Sequence, residues 1–270
     1  MHLQHRNLAP HRIYARTPWH LKDDYLPFLC AHGINVELYL SSDSFDKITG
    51  PELTTLRQTL SSHNLHCTLH APTAGLDPGS EDPAVQDATS QTVQRTVRLA
   101  RLLAARSIVV HSGYLALFDA ADTERWIRHS IIFWNQLLPQ INAADTLITV
   151  ENLYEQGPTP LRRILEGVRS QRLRHCFDCG HHNIYATATL EKWFSELGRY
   201  CAACHLHDNH GSVDQHLIPG EGSIDFVRIA ELMYRHAPAA SWTLEARSLE
   251  QLQQFWARLQ LEGTRWRFTP

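Results

Sequence analysis

Short β-branched or apolar runs alternate with longer segments of helical periodicity along the whole chain, and this alternation limits the fold more than any other feature. The runs are RIYART (12–17), NVELYL (35–40), HCTLHA (66–71), SIVVHS (107–112), TLITVEN (146–152), RHCFD (174–178), AACHLHD (202–208) and SWTLEA (241–246). Their composition and spacing mark eight strands. Between them, PAVQDATSQTVQRTVRLARLLAAR (83–106) and TERWIRHSIIFWNQLLPQINAA (123–144) repeat apolar residues at three- and four-residue steps, as amphipathic helices do.

Eight strand–helix units predict an α/β protein, a (β/α)8 TIM barrel forming a single domain over residues 1–270, with its site at the carboxyl ends of the strands. An open doubly wound sheet is the alternative. It calls for a Gly-rich phosphate loop after an early strand, and the sequence has none. No linker, low-complexity tract or internal repeat divides the chain. The Gly/Pro-rich stretches APTAGLDPGSEDP (71–83) and LIPGEGS (217–223) fall where loops after strands belong.

At 270 residues, 43% hydrophobic and 20% charged, the chain can bury a large core. The first residues, MHLQHRNLAPHR, lack the basic-then-apolar pattern of a secretory signal, and no run reaches the roughly 18 apolar residues of a membrane helix. A cytoplasmic location with no membrane partner is expected, and the six cysteines are expected to be reduced. A net charge of −3 gives no global attraction to nucleic acid. With only Lys22, Lys47 and Lys192 as lysines, phosphate contacts would fall to arginine or to metal. The outlying number is eighteen histidines.

From the third strand onward, almost every predicted strand ends in a side chain able to bind metal: His70, His111, Glu151, Asp178 with His181 just beyond, His205 with Asp214 and His216 in the following loop, and Glu245. Singly, each reads as a hydrogen-bonded histidine or a helix cap. Together, five histidines and four carboxylates on one rim demand cations. Imidazole with carboxylate and no thiolate suits zinc, manganese or ferrous iron, and nine donors imply two or three divalent ions. His207 and Arg247 are candidate substrate contacts. Glu37 either contacts substrate or pairs with Arg16 across the first two strands.

Two CxxC pairs, Cys176/Cys179 and Cys201/Cys204, offer a zinc-ribbon alternative. Alternation along a strand places Cys201 and Cys204 on opposite faces, and Cys176 one layer below Asp178. Packing thiols are therefore expected, with Gly180 breaking the strand so that Asp178 and His181 turn to one point.

The series LHAP (69–72), VVHSG (109–113), VEN (150–152), FDCGHHN (177–183), HLHD (205–208), VDQH (213–216), GEGSIDF (220–226) and TLEA (243–246) resembles the xylose isomerase-like TIM barrels, the superfamily of sugar isomerases, epimerases and endonuclease IV enzymes. The resemblance runs from VELYL of the second strand to the end of the eighth. It implies an enzyme. Endonuclease IV binds three zinc ions, and each of its ligand motifs has a counterpart in the nine residues above. Simple epimerases typically need one ion, held by residues matching Glu151, Asp178, His205 and Glu245.

Two activities follow as expectations. One is a metal-dependent phosphoesterase in which Glu151 and Glu245 flank the reacting centre of a small phosphorylated substrate. The other is a sugar or sugar-phosphate isomerase or epimerase in which the same two glutamates exchange protons with the substrate. A binding barrel without catalysis is the non-enzymatic alternative. Duplex DNA is not the favoured substrate, because the loop after the third strand is acidic and lacks an aromatic, and Arg95, Arg98 and Arg101 fall on the outer ring. One subgroup with similar loops is associated with removing the nucleotide tail of cobamides.

Overall fold

The computed structural model describes residues 12–141 and 146–262. Eight parallel strands close into a barrel in chain order: β1 (Ile13–Pro18), β2 (Asn35–Tyr39), β3 (Cys67–His70), β4 (Ser107–His111), β5 (Leu147–Glu151), β6 (Leu173–Asp178), β7 (Cys201–Leu206) and β8 (Ser241–Leu244). Each expected strand is present, so the (β/α)8 barrel is correct and the open sheet is not.

Eight helices form the outer ring: α1 (Lys22–His32), α3 (Gly50–Ser62), α4 (Pro83–Leu103), α5 (Ala120–Gln140), α6 (Thr159–Gly167), α8 (Leu190–Leu197), α9 (Phe226–His236) and α10 (Leu249–Glu262). Two short ones, α2 (Ser42–Phe45) and α7 (Cys179–Tyr185), sit in the loops after β2 and β6. Local chemistry sets their ends. Asp82 caps α4 by accepting from Ala84 N at 2.8 Å, with Pro83 in the first turn. The helix stops at Leu103, short of the expected 106, because Ala104 turns left-handed at φ 53°. α5 starts before the expected Thr123, where Asp119 and Asp122 form a reciprocal capping box. The end of that expected segment, 142–144, lies outside the described residues.

The main core lies between sheet and ring, where Trp126, Trp134, Trp193, Phe194 and Phe255 are fully buried. Each such side chain stabilises the fold by about 1.5–3 kcal/mol. Among the described residues no helix is long and apolar enough to cross a membrane.

Strand register decides what faces the barrel mouth. Partners in a parallel pair share a face, and the pairs include Arg16 with Glu37, Tyr39 with His70, His111 with Glu151 and Asp178 with His205. One layer deeper, Val109, Cys176 and Ala203 form a small buried cluster.

The register of β6 and β7 shifts between His175 and Cys176, and this corrects one expectation. Cys201 and Cys204 do not face opposite ways. Both belong to the main core, with Cys201 Sγ 4.0 Å from Met233 Sδ of α9. Burial pushes the Cys201 thiol up to about 12 and Cys204 well above its usual value, so both are neutral packing groups. All six cysteines are free.

Candidate metal centre

β6 ends at Asp178, which also caps α7 by accepting from His181 N at 2.7 Å. Capping and site-building are one geometry here, because the helical turn that Asp178 starts brings His181 back beside it. Asn152 joins β5 to β6 by donating to the Asp178 carbonyl and accepting from Asp178 N, both at 2.9 Å.

Gly180 has a different purpose from the strand-breaking one expected of it. It lies inside α7, and a Cβ there would stand 1.9 Å from Cε1 of the fully buried His207 ring. The glycine makes room for an imidazole.

The loop from β7 to α9 is shaped by a second buried acid. Asp208 accepts backbone hydrogen bonds from Asn209, Gly220 and Gly222 at 2.8 Å and from Ile224 at 3.2 Å. Gly222 is obligatory, since a Cβ would fall 2.3 Å from both Asp208 Oδ1 and Asn209 O. The loop so fixed carries Asp214 and His216 to the rim, His216 in left-handed backbone at φ 50°.

All nine candidate ligands converge. His70 Nε2 lies 3.1 Å and His111 Nε2 3.7 Å from Glu151 Oε2. His181 Nδ1 is 3.2 Å from Glu151 Oε1 and 3.4 Å from Asp178 Oδ1. His205 Nδ1 lies 3.4 Å from Glu151 Oε2 and 3.3 Å from Glu245 Oε1. His216 Nε2 is 2.9 Å from Asp214 Oδ2, and His181 Nε2 is 3.9 Å from the same oxygen. Donor atoms fall within 4.8 Å of one another in the groups His70–His111–Glu151, His70–His205–Glu245, Glu151–Asp178–His181 and His207–Asp214–His216.

The donor set fits divalent metal on two observations. First, backbone carbonyls occupy Nδ1 of three histidines: Ala71 O at 2.8 Å from His70, Asn152 O at 3.0 Å from His181 and Glu245 O at 3.3 Å from His216. Each Nδ1–H must donate there, so in the neutral ring each Nε2 would turn a lone pair toward a carboxylate. Only a cation between the two, a metal ion or an extra proton, makes that arrangement favourable. Second, both nitrogens of His205, Nδ1 of His207 and Oδ1 of Asp214 are buried without hydrogen-bond partners. Buried polar atoms are rarely left so.

The charges interlock. Burial disfavours ionised Asp178, yet His181 and His207 hold its carboxyl well below the usual range. Burial acts likewise on Glu151 and Glu245, and is outweighed by His205 with His111 at the first and by His205 with His216 at the second. Burial disfavours the His181 imidazolium, but Asp178 and Glu151 raise the ring to about 10. His111 goes the other way: burial outweighs Glu151 and lowers it to about 4, leaving a neutral ring. Cys176 Sγ lies within ligand range of Glu151 and His205, but burial pushes the thiol well up and keeps it protonated.

His207 lies just past the end of β7, not within the strand as expected, and its fully buried ring faces Asp178. Arg247 is at the exposed rim, where its guanidinium donates to the Asp214 carbonyl. Glu37 is not Arg16's partner. It accepts from Thr68 Oγ1 at 3.2 Å and Thr243 Oγ1 at 3.1 Å, behind His205.

Arg16 instead lies over the Tyr39 ring, 4.1 Å from its centroid, with Nε 3.9 Å from Glu245 Oε1. The β1–β2 sector therefore adds a cation and an aromatic beside the ligands. Sequence reasoning missed Tyr39 and the role of Asp208. The alternation of NVELY, with Glu37 and Tyr39 on one face, was the available signal for the first; an acid followed by the glycines of GEGSID was the signal for the second.

The chain is a closed (β/α)8 TIM barrel with a histidine–carboxylate cluster at its carboxyl rim. Residues 34–260 match the family model described as the xylose isomerase-like TIM barrel, and the chain belongs to that family. It is 26% identical to the uncharacterized protein MJ1311 of Methanocaldococcus jannaschii over 63% of this chain and 60% of that one. A second protein of that organism, MJ1614, is 28% identical over 61% of this chain and 64% of its own length. The chain thus spans about three fifths of these relatives.

Among solved structures it resembles the TTHB071 protein of Thermus thermophilus soaked with zinc chloride, with TM-score 0.77, 22% identity, and 91% of this chain and 97% of that one covered. A D-tagatose 3-epimerase-like protein gives TM-score 0.74 and 20% identity over 85% and 88%. The IolI protein with a bound zinc atom gives 0.78 and 12% over 96% and 100%.

Proposed function

We propose that this protein is a metal-dependent phosphoesterase with a multinuclear site acting on a small phosphorylated substrate. One observation carries the reading. Beyond the quartet Glu151, Asp178, His205 and Glu245, which suffices for one ion, five further donors (His70, His111, His181, Asp214 and His216) converge on the same rim. A mononuclear enzyme has no use for them as ligands.

Bound zinc or manganese would supply Lewis-acid charge at phosphoryl oxygens and make water a better nucleophile at neutral pH. The residues supply the rest. Glu151 and Glu245, both anionic and both within 3.4 Å of His205 Nδ1, bracket the reacting centre; one takes the proton of the attacking water and passes it to the alkoxide released as the ester P–O bond breaks. The Arg16 guanidinium, backed by Tyr39, faces the developing charge on the phosphoryl group.

The rim favours a small substrate over duplex DNA. The β3–α4 loop folds down onto the ring, where Asp77 N donates to Thr89 Oγ1 at 3.1 Å and Gly79 lies against Trp126. Its exposed residues, Ala74, Gly75, Glu81 and Asp82, include no aromatic or basic side chain for a groove. Arg95 is tied to Asp46 and to the Phe45 carbonyl. A nucleotide tail of the cobamide kind and a sugar phosphate both belong to the substrate class.

The test is phosphate or alcohol release from a panel of small phosphodiesters and sugar phosphates by zinc- or manganese-loaded protein. Turnover that falls by at least about 10³-fold in Glu151→Gln supports the reading. No turnover anywhere on the panel counts against it.

The second reading is a sugar epimerase or isomerase. It is favoured by completeness of the mononuclear quartet, with Glu151 and Glu245 on either side of His205. Solvent deuterium appearing at carbon in candidate ketoses would select it.

A further inference from the structure

His207 is the one histidine of the cluster outside the nine-donor set, and its surroundings are those of a ligand. The ring is fully buried. Nε2 lies 3.1 Å and 3.2 Å from the two Asp178 oxygens. An ionised carboxylate only accepts, so Nε2 carries a proton, and in the neutral tautomer this leaves Nδ1 as the acceptor, the form in which imidazole binds metal. Asp214 Oδ1 lies 3.5 Å from Nδ1, and neither atom has a hydrogen-bond partner.

Two acceptors facing each other in a buried site repel unless a cation lies between them. Their spacing suits one: two ligands bound tetrahedrally at about 2.0–2.1 Å stand about 3.3 Å apart. The His216 donor completes a group within 4.8 Å, its ring stacked on His207 at 3.9 Å. The His207 ring is the fixed member of this pair, held by Asp178 on one side and by the glycine at 180 on the other. A histidine that donates one N–H to a carboxylate and presents its other nitrogen is the usual form of a metal-binding imidazole.

We propose that His207 is itself a metal ligand, binding through Nδ1 an ion shared with Asp214 and His216, and that Asp178 orients the ring from behind. The assignment rests on the multinuclear reading above. It makes His207 part of the metal centre and removes it from the substrate contacts. The ion class is a borderline divalent cation such as zinc, which accepts imidazole and carboxylate together.

The experiment uses the full chain saturated with zinc. In crystals, zinc located by anomalous scattering is expected within about 2.0–2.3 Å of His207 Nδ1. In solution, His207→Asn is expected to lose one ion per chain, or to bind it more than about 100-fold more weakly, beyond the 10–100-fold effect of a merely orienting partner. Wild-type protein that takes up two or more ions while His207→Asn takes up the same number at similar affinity overturns the His207 assignment alone. Wild-type uptake of a single ion overturns the multinuclear reading and this assignment with it. If the variant does not fold, the zinc positions in wild-type crystals decide: Nδ1 without zinc refutes the proposal.

Discussion

Glu37 Oε1 lies 3.1 Å from His205 Nε2, with both side chains buried in the barrel. The contact is off-line and does not qualify as a hydrogen bond for either atom. Its effect is electrostatic and directional: negative charge behind Nε2 favours the proton there and turns the Nδ1 lone pair toward Glu151 and Glu245. Glu37→Gln keeps the shape and removes the charge. Zinc affinity measured by chelator competition is expected to fall about 10–100-fold, with the fold retained. Unchanged affinity would reduce Glu37 to barrel packing.

Asp208 holds four backbone N–H groups of the β7–α9 loop. Asp208→Ala leaves them unsatisfied, at a cost of about 1–3 kcal/mol each where they remain buried. Hydrogen exchange across residues 209–224 is expected to accelerate while β6 and β5 stay protected. Metal bound through Asp214 and His216 should weaken in parallel. Unaltered protection of the loop would show that the GEGSID segment holds itself in place.

His175, on the outer side of β6, is locked in one neutral tautomer: Nδ1–H donates to Val150 O at 3.0 Å and Nε2 accepts from Trp193 Nε1 at 3.2 Å. Burial lowers the ring to about 4 from 6.5. Below pH 6.5 the unfolded chain therefore binds a proton that the folded chain refuses. Stability contributed by the neutral ring is complete above that pH and is lost as pH falls toward 4, by about 3 kcal/mol over the interval. Denaturant melts at pH 7 and 4.5 should show this loss in wild type and a smaller one in His175→Gln. Equal losses in both would contradict the assignment.

The Arg16 side chain has no hydrogen bond among the described residues and keeps only its 3.9 Å contact with Glu245 and its place over Tyr39. It is free to meet an anionic group at the mouth. A charged hydrogen bond of this kind is worth about 1.5–3 kcal/mol, so Arg16→Met should weaken inhibition by inorganic phosphate roughly 10–100-fold at unchanged metal content. Weakening of metal binding instead would make Arg16 a structural counter-ion of Glu245.

Much of this was legible in the sequence. Period-two runs and turn residues located all eight strands, because barrel strands are short, apolar and regularly spaced. That the nine candidate donors would meet was legible because strand ends in this fold all deliver to one rim. What escaped depended on contacts between distant segments. The glycine in FDCGHHN answers to an imidazole 27 residues later, His207. The facing of Cys201 depends on a register shift that no alternation rule foresees. Adjacency offered Arg16 as a partner for Glu37, whereas its carboxylate lies against His205, Thr68 and Thr243.

The central claim is that the rim is multinuclear, and metal content tests it most directly. Protein saturated with zinc, freed of excess ion and assayed by elemental analysis should hold two or three ions per chain, with His70→Ala and His216→Ala each lowering the number. A single ion per chain that survives both substitutions, held by Glu151, Asp178, His205 and Glu245 alone, would contradict it.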